Sequence, residues 1–205
     1  MKRDEEREAR SKEEPIVSGL PDFPGIIAAM RLTPGLGVHL RGLADELLVK
    51  PFEGCTLSRA ERELIACASS AANDCFYCMD SHGAFASELL HRQKVPGGEL
   101  MVENVKHGVH EGLSDKMEAL LHIAQLVQKG GRAVSHHDIE RAREFGATEA
   151  DTQVVVLIAS ALAMYNRIVD GLRAKTPASA EAYRGRALEI AEHGYVDPRL
   201  QAIPR

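Results

Sequence analysis

The sequence predicts an all-α fold. Apolar residues recur at three-and-four spacing through most of the chain, and no segment alternates apolar and polar residues for more than a few positions. No Asn-Gly or Asp-Gly turn separates two apolar runs, so the usual hairpin signal is absent from the sequence. Apolar helical stripes without strands to cover them imply a helical bundle.

The composition narrows the class of protein. The chain has 205 residues, of which 44% are hydrophobic and 27% charged, as in soluble globular proteins of one compact domain. A net charge of −5 provides no overall positive field, so nucleic acid is not an expected partner. The longest nonpolar stretch, Val154–Tyr165, falls short of the roughly 20 residues that cross a bilayer, which predicts a buried core helix and no membrane association.

The small number of cysteines and the first residues of the chain indicate the cellular compartment of the protein. Four cysteines in the chain are too few for a secreted disulfide scaffold. The first residues, MKRDEEREARSKEE, contain no apolar segment of a signal peptide. These features predict a cytoplasmic protein.

Two segments precede the regular helices. Residues 1–14 are highly charged and contain no large apolar side chain after Met1, which predicts a flexible tail. Residues 15–34 contain four prolines and two glycines, which favours an arm that lies over the domain. Residues 15–205 are therefore interpreted as a single all-helical domain.

Local signals divide the remainder into helices. Ser58 with Glu61 and Ser135 with Asp138 have the spacing of a capping box at a helix start. The predicted helices are Val38–Val49, the segment after Ser58, Cys75–Arg92, Gly98–His107, Ser114–Lys129, the segment from Ser135 to Gly146, Thr148–Leu172 and Ala178–His193.

The third helix carries the most informative motif. Cys75, Cys78 and His82 are three and four residues apart, so all three project from one helix face. Asn73 or Asp74 is expected to cap this helix, which places the cysteines at its N-terminus. The partial positive charge there favours a thiolate, so depressed pKa values are expected for the pair. Two cysteines one turn apart can also close a disulfide.

Glu63 lies on the preceding helix. At 100° per residue it falls on the edge of the apolar stripe, where partial desolvation is expected to raise the pKa of its carboxyl group. With His82 it would form an acid–base pair next to two thiols. Such a set can deprotonate a thiol and protonate a leaving alkoxide.

The order and spacing of Glu63, Cys75, Cys78 and His82 resemble the alkylhydroperoxidase D-like, or carboxymuconolactone decarboxylase-like, family in its peroxidase-related branch. The resemblance extends from about Pro21 to Leu172. It implies an all-α fold that assembles into trimers or hexamers through helical faces.

The resemblance also implies a reaction. Cys78 would attack a hydroperoxide, Cys75 would resolve the oxidised product, and Glu63 and His82 would relay protons. The partners would be a hydroperoxide substrate and an external dithiol reductant, without a cofactor or a metal. One departure is Tyr77, which stands where well-studied alkylhydroperoxidase D proteins have a second histidine.

Other interpretations stay open at this point. Two thiols and an imidazole are good zinc ligands, so a non-catalytic redox-sensing or zinc-binding module is one alternative. A lactone decarboxylase relative is another, because that branch of the family does not depend on a cysteine pair. Cys67 is expected to be a buried hydrophobe, and no role is assigned to Cys55. The apolar residues on every side of Thr148–Leu172 predict a homo-oligomer: a dimer, a trimer or a hexamer.

Overall fold

The chain folds as an all-α bundle, which confirms the predicted fold class. The structure is a computed structural model that describes residues 2–196, and no strand occurs within this range. The helices are α1 (Lys2–Ser11), α2 (Ile26–Leu32), α3 (Pro34–Leu48), α4 (Arg59–Ala72), α5 (Phe76–Arg92), α6 (Gly98–Lys106), α7 (Asp115–Lys129), α8 (His136–Glu144), α9 (Glu149–Gly171) and α10 (Glu181–His193), with a short 3-10 turn at Gly131–Ala133.

The predicted capping boxes are present. At the start of α4, the Ser58 side chain accepts a hydrogen bond from the backbone N–H of Glu61, and the Glu61 carboxylate accepts one from Ser58 N. Ser135 forms the same arrangement at the start of α8. These reciprocal bonds satisfy N–H groups that have no partner within the helix, so they determine where each helix begins.

The core is built around α4, α5, α7 and α9. The longest contact runs between α4 and α5, and α7 and α9 pack on each other and on α4. Most of the buried apolar side chains between Met30 and Ala191 form one contiguous cluster. A smaller cluster surrounds the cysteine motif and consists of Ala28, Cys75, Tyr77, Cys78, Val169, Ala174 and Tyr183.

The helix α9 is long and apolar enough, by length and composition, to cross a membrane. Half of that stretch is buried inside this chain, and the helix also buries three polar residues, Asp151, Thr152 and Asn166. Asp151 accepts hydrogen bonds from Thr56 at 2.6 and 2.7 Å. The packing is that of a core helix of the bundle, as predicted.

The N-terminal region is more helical than the sequence analysis expected. Within the proline-rich segment, α2 lies between Pro24 and Pro34, and Pro34 itself begins α3. Proline suits the first position of a helix because the N–H that it lacks would have no partner there. The predicted arm therefore contains α2 and the start of α3, which are joined by a short connection. These two helices form one wall of the site described below.

Residues 2–11 form α1, where the sequence predicts a flexible tail. Arg7 Nη2 lies 3.2 Å from Asp80 Oδ1, and Arg10 Nη1 lies 3.3 Å from Asp170 Oδ1. Both guanidinium groups also lie over the ring of Phe76. Charged side chains, which cannot build a core of their own, here attach the helix to acidic groups of the bundle.

Candidate active site

Glu63 and His82 form the polar centre of the candidate site. The long α4–α5 contact brings Glu63 Oε2 to 2.7 Å from His82 Nδ1. Glu63 is 0% exposed, so the structure buries it more deeply than the expected edge position. A carboxylate only accepts hydrogen bonds, which assigns the imidazole hydrogen to Nδ1 and leaves the lone pair of a neutral ring on Nε2.

A third polar group, Tyr195, comes from the segment after α10. Its hydroxyl donates to Glu63 Oε1 at 2.7 Å and lies 3.5 Å from His82 Nδ1. Burial, the charge of Glu63 and this hydrogen bond raise the pKa of Tyr195 well above its usual value, so the phenol remains a donor at neutral pH. No sequence motif indicates Tyr195, whose only local signal is the glycine that ends α10.

Gly194 and Asp45 hold Tyr195 in position. The backbone N–H of Tyr195 donates to Asp45 Oδ1 at 2.9 Å. Gly194 has a φ of 74°, and a Cβ atom there would lie 2.7 Å from Asp45 Oδ1. Only glycine combines this left-handed backbone with so close an approach.

Two arginines of α4, Arg59 and Arg62, form hydrogen bonds with the ends of the neighbouring helices α10 and α3. Arg62 donates to the carbonyl oxygen of Lys50 at 2.7 Å, just after the end of α3. Arg59 donates to the carbonyl oxygen of Ile190 at 2.8 Å, in the last turn of α10. Carbonyl oxygens at the ends of two helices therefore accept hydrogen bonds from the helix that carries Glu63.

The helix α5 begins at the cysteine motif, but not with the predicted cap. Cys75 is the N-cap residue. The Asn73 side chain instead donates to Gln128 and Asn166 at 2.7 and 2.9 Å. Asp74 has a φ of 54°, which is a left-handed conformation before the helix. Neither expected residue is therefore the N-cap of α5. Tertiary hydrogen bonds hold the Asn73 side chain, and Asp74 belongs to the turn before the helix.

Both thiols of the motif are free and buried. Cys75 is 0% exposed and Cys78 is 3% exposed. A hydrogen bond with Cys78 and burial raise the pKa of Cys75 well above its usual range. For Cys75 the expected depression of the pKa is therefore wrong, because contact with a second sulfur and desolvation outweigh the helix N-terminus.

An apolar pocket reaches the motif. Its cavity volume of about 70 Å³ exceeds what one water needs, so it has space for a small ligand. Cys78 and His82 lie in its wall, whereas Cys75 does not. The remaining lining residues are Ile26, Ile27, Met30, Arg41, Ala44, Leu48, Tyr77, Ser81, Phe85, Tyr165, Arg186 and Tyr195.

Tyr77, at the position of the family's second histidine, is a packed wall residue. A Cβ atom on Gly25 would lie 2.1 Å from its ring, so the backbone of Gly25 rests directly on it. The ring centroid of Tyr183 lies 5.9 Å from that of Tyr77. Burial raises the pKa of Tyr77 far above neutrality, so its phenol does not exchange protons as an imidazole would.

The remaining cysteines lie outside this pocket. Cys67 is buried in α4, and desolvation raises the pKa of its thiol to about 12, which confirms it as a small hydrophobe. Cys55 is half-buried in the loop before α4. Within residues 2–196, no group of three or more His, Cys, Asp or Glu side chains is arranged to hold a metal ion.

Comparison with known proteins confirms the resemblance. The sequence model of the carboxymuconolactone decarboxylase family matches residues 40–89. This segment contains Glu63, Cys75, Cys78 and His82 but ends before Tyr195. No curated protein matches the chain.

Two solved structures are similar to the chain. One is an uncharacterized peroxidase-related protein from Ralstonia eutropha JMP134, described as an alkylhydroperoxidase AhpD core. It is 27% identical with a TM-score of 0.65, and the match covers 78% of this chain and 79% of that one. The other is an uncharacterized peroxidase-related protein from Silicibacter sp. TM1040, 20% identical with a TM-score of 0.66 over 85% of this chain and 94% of that one, which shows the shared fold.

Proposed function

We propose that this chain, with its carboxymuconolactone decarboxylase family segment at residues 40–89, is a thiol-dependent peroxidase. Its substrate would be an organic hydroperoxide, and an external dithiol would restore the enzyme. One observation carries the proposal: Cys78 and His82 share the wall of one pocket, while His82 is bound on its other side to the buried carboxylate of Glu63.

The first step is proton transfer and attack. His82 takes the thiol proton of Cys78 through Nε2, and Glu63 stabilises the resulting imidazolium at Nδ1. The thiolate attacks the terminal oxygen of the hydroperoxide, the O–O bond breaks, and Cys78 becomes a sulfenic acid. The alkoxide that leaves receives the proton from His82 and departs as an alcohol.

The second step uses Cys75. Its thiol lies next to Cys78 but outside the pocket wall, which suits a resolving cysteine better than the attacking one. Cys75 condenses with the sulfenic acid, so a disulfide forms and water leaves. Because its pKa is raised, Cys75 stays protonated until Cys78 has been oxidised. An external dithiol then reduces the disulfide by thiol–disulfide exchange.

Thiol titration distinguishes this proposal from the non-catalytic alternatives. The reduced protein is treated with one equivalent of cumene hydroperoxide, and free thiols and bound metal are measured before and after. Loss of two thiols from metal-free protein supports the peroxidase. Stoichiometric zinc with thiols that do not respond to peroxide would establish the zinc-binding module instead.

The lactone decarboxylase alternative predicts a different dependence on the cysteines. Such an enzyme would keep its activity when Cys75 and Cys78 are both replaced by serine. Retention of lactone turnover in this double variant, without peroxide consumption by the unmodified protein, would overturn the peroxidase proposal.

A further inference from the structure

Two cationic side chains line the otherwise largely apolar pocket. Arg41 comes from α3 and Arg186 from α10, so they reach the pocket from different helices. Apolar residues such as Ile26, Met30 and Phe85 surround them. A cavity that received only uncharged alkyl hydroperoxides would have no need of two guanidinium groups in its wall.

The charge of Arg41 is not neutralised by any side chain that the structure describes. Among residues 5–196, Arg41 has no ion pair. Burial, followed by repulsion from Arg186 and Arg31, lowers the pKa of Arg41. Arg186 forms an ion pair between its Nη1 and Glu189 Oε2 at 3.2 Å. The described residues therefore place more positive than negative charge in this part of the pocket wall.

The carboxylates near the pocket are already engaged. Asp45, one helical turn after Arg41, accepts the backbone N–H of Tyr195 at 2.9 Å. Glu63 is bound through one oxygen to His82 and through the other to Tyr195. Neither forms an ion pair with Arg41, so among the residues that the structure describes this guanidinium is available to a bound anion.

We infer that the pocket takes an organic hydroperoxide whose hydrocarbon body carries a carboxylate, which Arg41 and Arg186 hold while the peroxide group reaches Cys78. The inference rests on the proposed peroxidase function and names its substrate class. The apolar wall covers the hydrocarbon body, and a guanidinium matches a carboxylate with two parallel hydrogen bonds. A fixed anion orients the peroxide toward one sulfur, which raises the rate of attack.

A matched pair of substrates tests this inference. The probes are cumene hydroperoxide with a para-carboxylate and the methyl ester of the same compound, which differ in charge but not in the reacting group. The second-order rate constant for oxidation of Cys78 is measured for both. We expect the acid to react about tenfold faster or more, since a charge-assisted bidentate bond contributes on that scale.

Variants connect the preference to the arginines. Arg41→Gln and Arg186→Gln should each lower the rate with the acid much more than the rate with the ester, so that most of the preference for the acid is lost. The ester rate also reports whether each variant is folded. Arg184→Gln is the matched control, because Arg184 lies on α10 outside the pocket wall and should keep the full preference.

The outcomes separate the inference from the function on which it rests. Equal rates for acid and ester, or an equal loss of both in Arg41→Gln, would overturn the inference while the peroxidase stands. If neither hydroperoxide is consumed, the peroxidase proposal fails, and the anion site is then tested by calorimetric binding of para-isopropylbenzoate and of its methyl ester. Tighter binding of the acid than of the ester, lost in Arg41→Gln, supports the anion site. Equal binding of acid and ester, or no binding of either, overturns it.

Discussion

The hydroxyl of Tyr195 donates a hydrogen bond to Glu63 Oε1 at 2.7 Å, although the two residues are 132 positions apart. This contact supplies the second partner of a fully buried carboxylate whose other oxygen binds His82. The polar centre is thus a group of three, in which Tyr195 would act on the proposed reaction through Glu63. Tyr195 is therefore a positioning residue.

We expect Tyr195→Phe to slow oxidation of Cys78 by roughly ten- to a hundredfold, since a hydrogen bond to a charged group contributes roughly 1.5 to 3 kcal/mol. Phenylalanine keeps the ring contacts with His82 and Phe85 but leaves Glu63 Oε1 without its donor. Stopped-flow measurement of the rate gives the effect. Tyr183→Phe is the control, because its hydroxyl donates to the Pro177 carbonyl. Equal rates for both variants and the unmodified protein would contradict the role of Tyr195.

The second prediction concerns the charge of Glu63. Glu63→Gln retains the shape of the side chain but removes the negative charge that stabilises an imidazolium on His82. Loss of a proton relay slows a reaction by roughly 10²-fold or more, and we expect that reduction in the rate with peroxide. Glu99→Gln, at an exposed position of α6, should have no effect. An unchanged rate in Glu63→Gln would make the carboxylate structural only.

The third prediction separates the two sulfurs. Cys75→Ser should consume one equivalent of peroxide and stop at the sulfenic acid, because only the attacking sulfur is required for the first step. Cys78→Ser should consume none. Mass spectrometry and peroxide titration measure both outcomes, and Cys55→Ser should behave like the unmodified protein. The opposite pattern would reverse the assignment.

The fourth prediction concerns stability against acid. Burial opposes ionisation of Asp151, but hydrogen bonds from Thr148 and Thr56 outweigh it and lower the pKa of this carboxyl group to about 2. The lowered value stabilises the folded chain fully above the ordinary aspartate pKa of about 3.9, and this contribution is lost as the pH falls toward 2.

Replacement of Asp151 measures that contribution. We expect Asp151→Asn to lower the free energy of unfolding at pH 7 by about 2 to 3 kcal/mol, and to flatten its dependence on pH between about 5 and 2. Urea unfolding across this range gives both quantities. The same pH dependence in Asp151→Asn and the unmodified protein would contradict the role assigned to Asp151. Asp115→Asn, at an exposed position of the first turn of α7, is the control.

The fifth prediction is that the protein is a homo-oligomer. Leu157 and Met164 remain 41% and 39% exposed on α9, and Leu36 and Val38 are exposed on α3. Light scattering with size-exclusion chromatography should give a multiple of 22.4 kDa. Leu157→Asp should shift the mass toward the monomer, whereas Leu100→Asp on α6 should not. A mass of 22.4 kDa for the unmodified protein would contradict the prediction.

The sequence predicted those parts of the molecule that depend on local spacing. The capping boxes at Ser58 and Ser135 follow from contacts three residues apart, and the helical period places Glu63 toward the core. The pairing of Glu63 with His82 was also predicted. The two residues lie on consecutive helices joined by a short connection, so their side chains can meet.

The remainder depends on tertiary contacts that spacing does not encode. Tyr195 reaches the site because Gly194 turns the chain and Asp45 binds its N–H, both far from the motif in sequence. The raised pKa of Cys75 results from burial and from the neighbouring sulfur, which a helix-terminus argument leaves out. The helix α1 depends on Arg7 and Arg10 finding acidic partners on other helices.

The arginines of α4 attach to main-chain oxygens, and this has a consequence for how the pocket can evolve. Arg59 and Arg62 recognise carbonyl groups that every residue type possesses. Side chains on the pocket faces of α3 and α10 can therefore be exchanged without loss of the attachment. The lining of the pocket can therefore diverge among descendants of this chain while the spacing of Glu63, Cys78 and His82 is inherited unchanged.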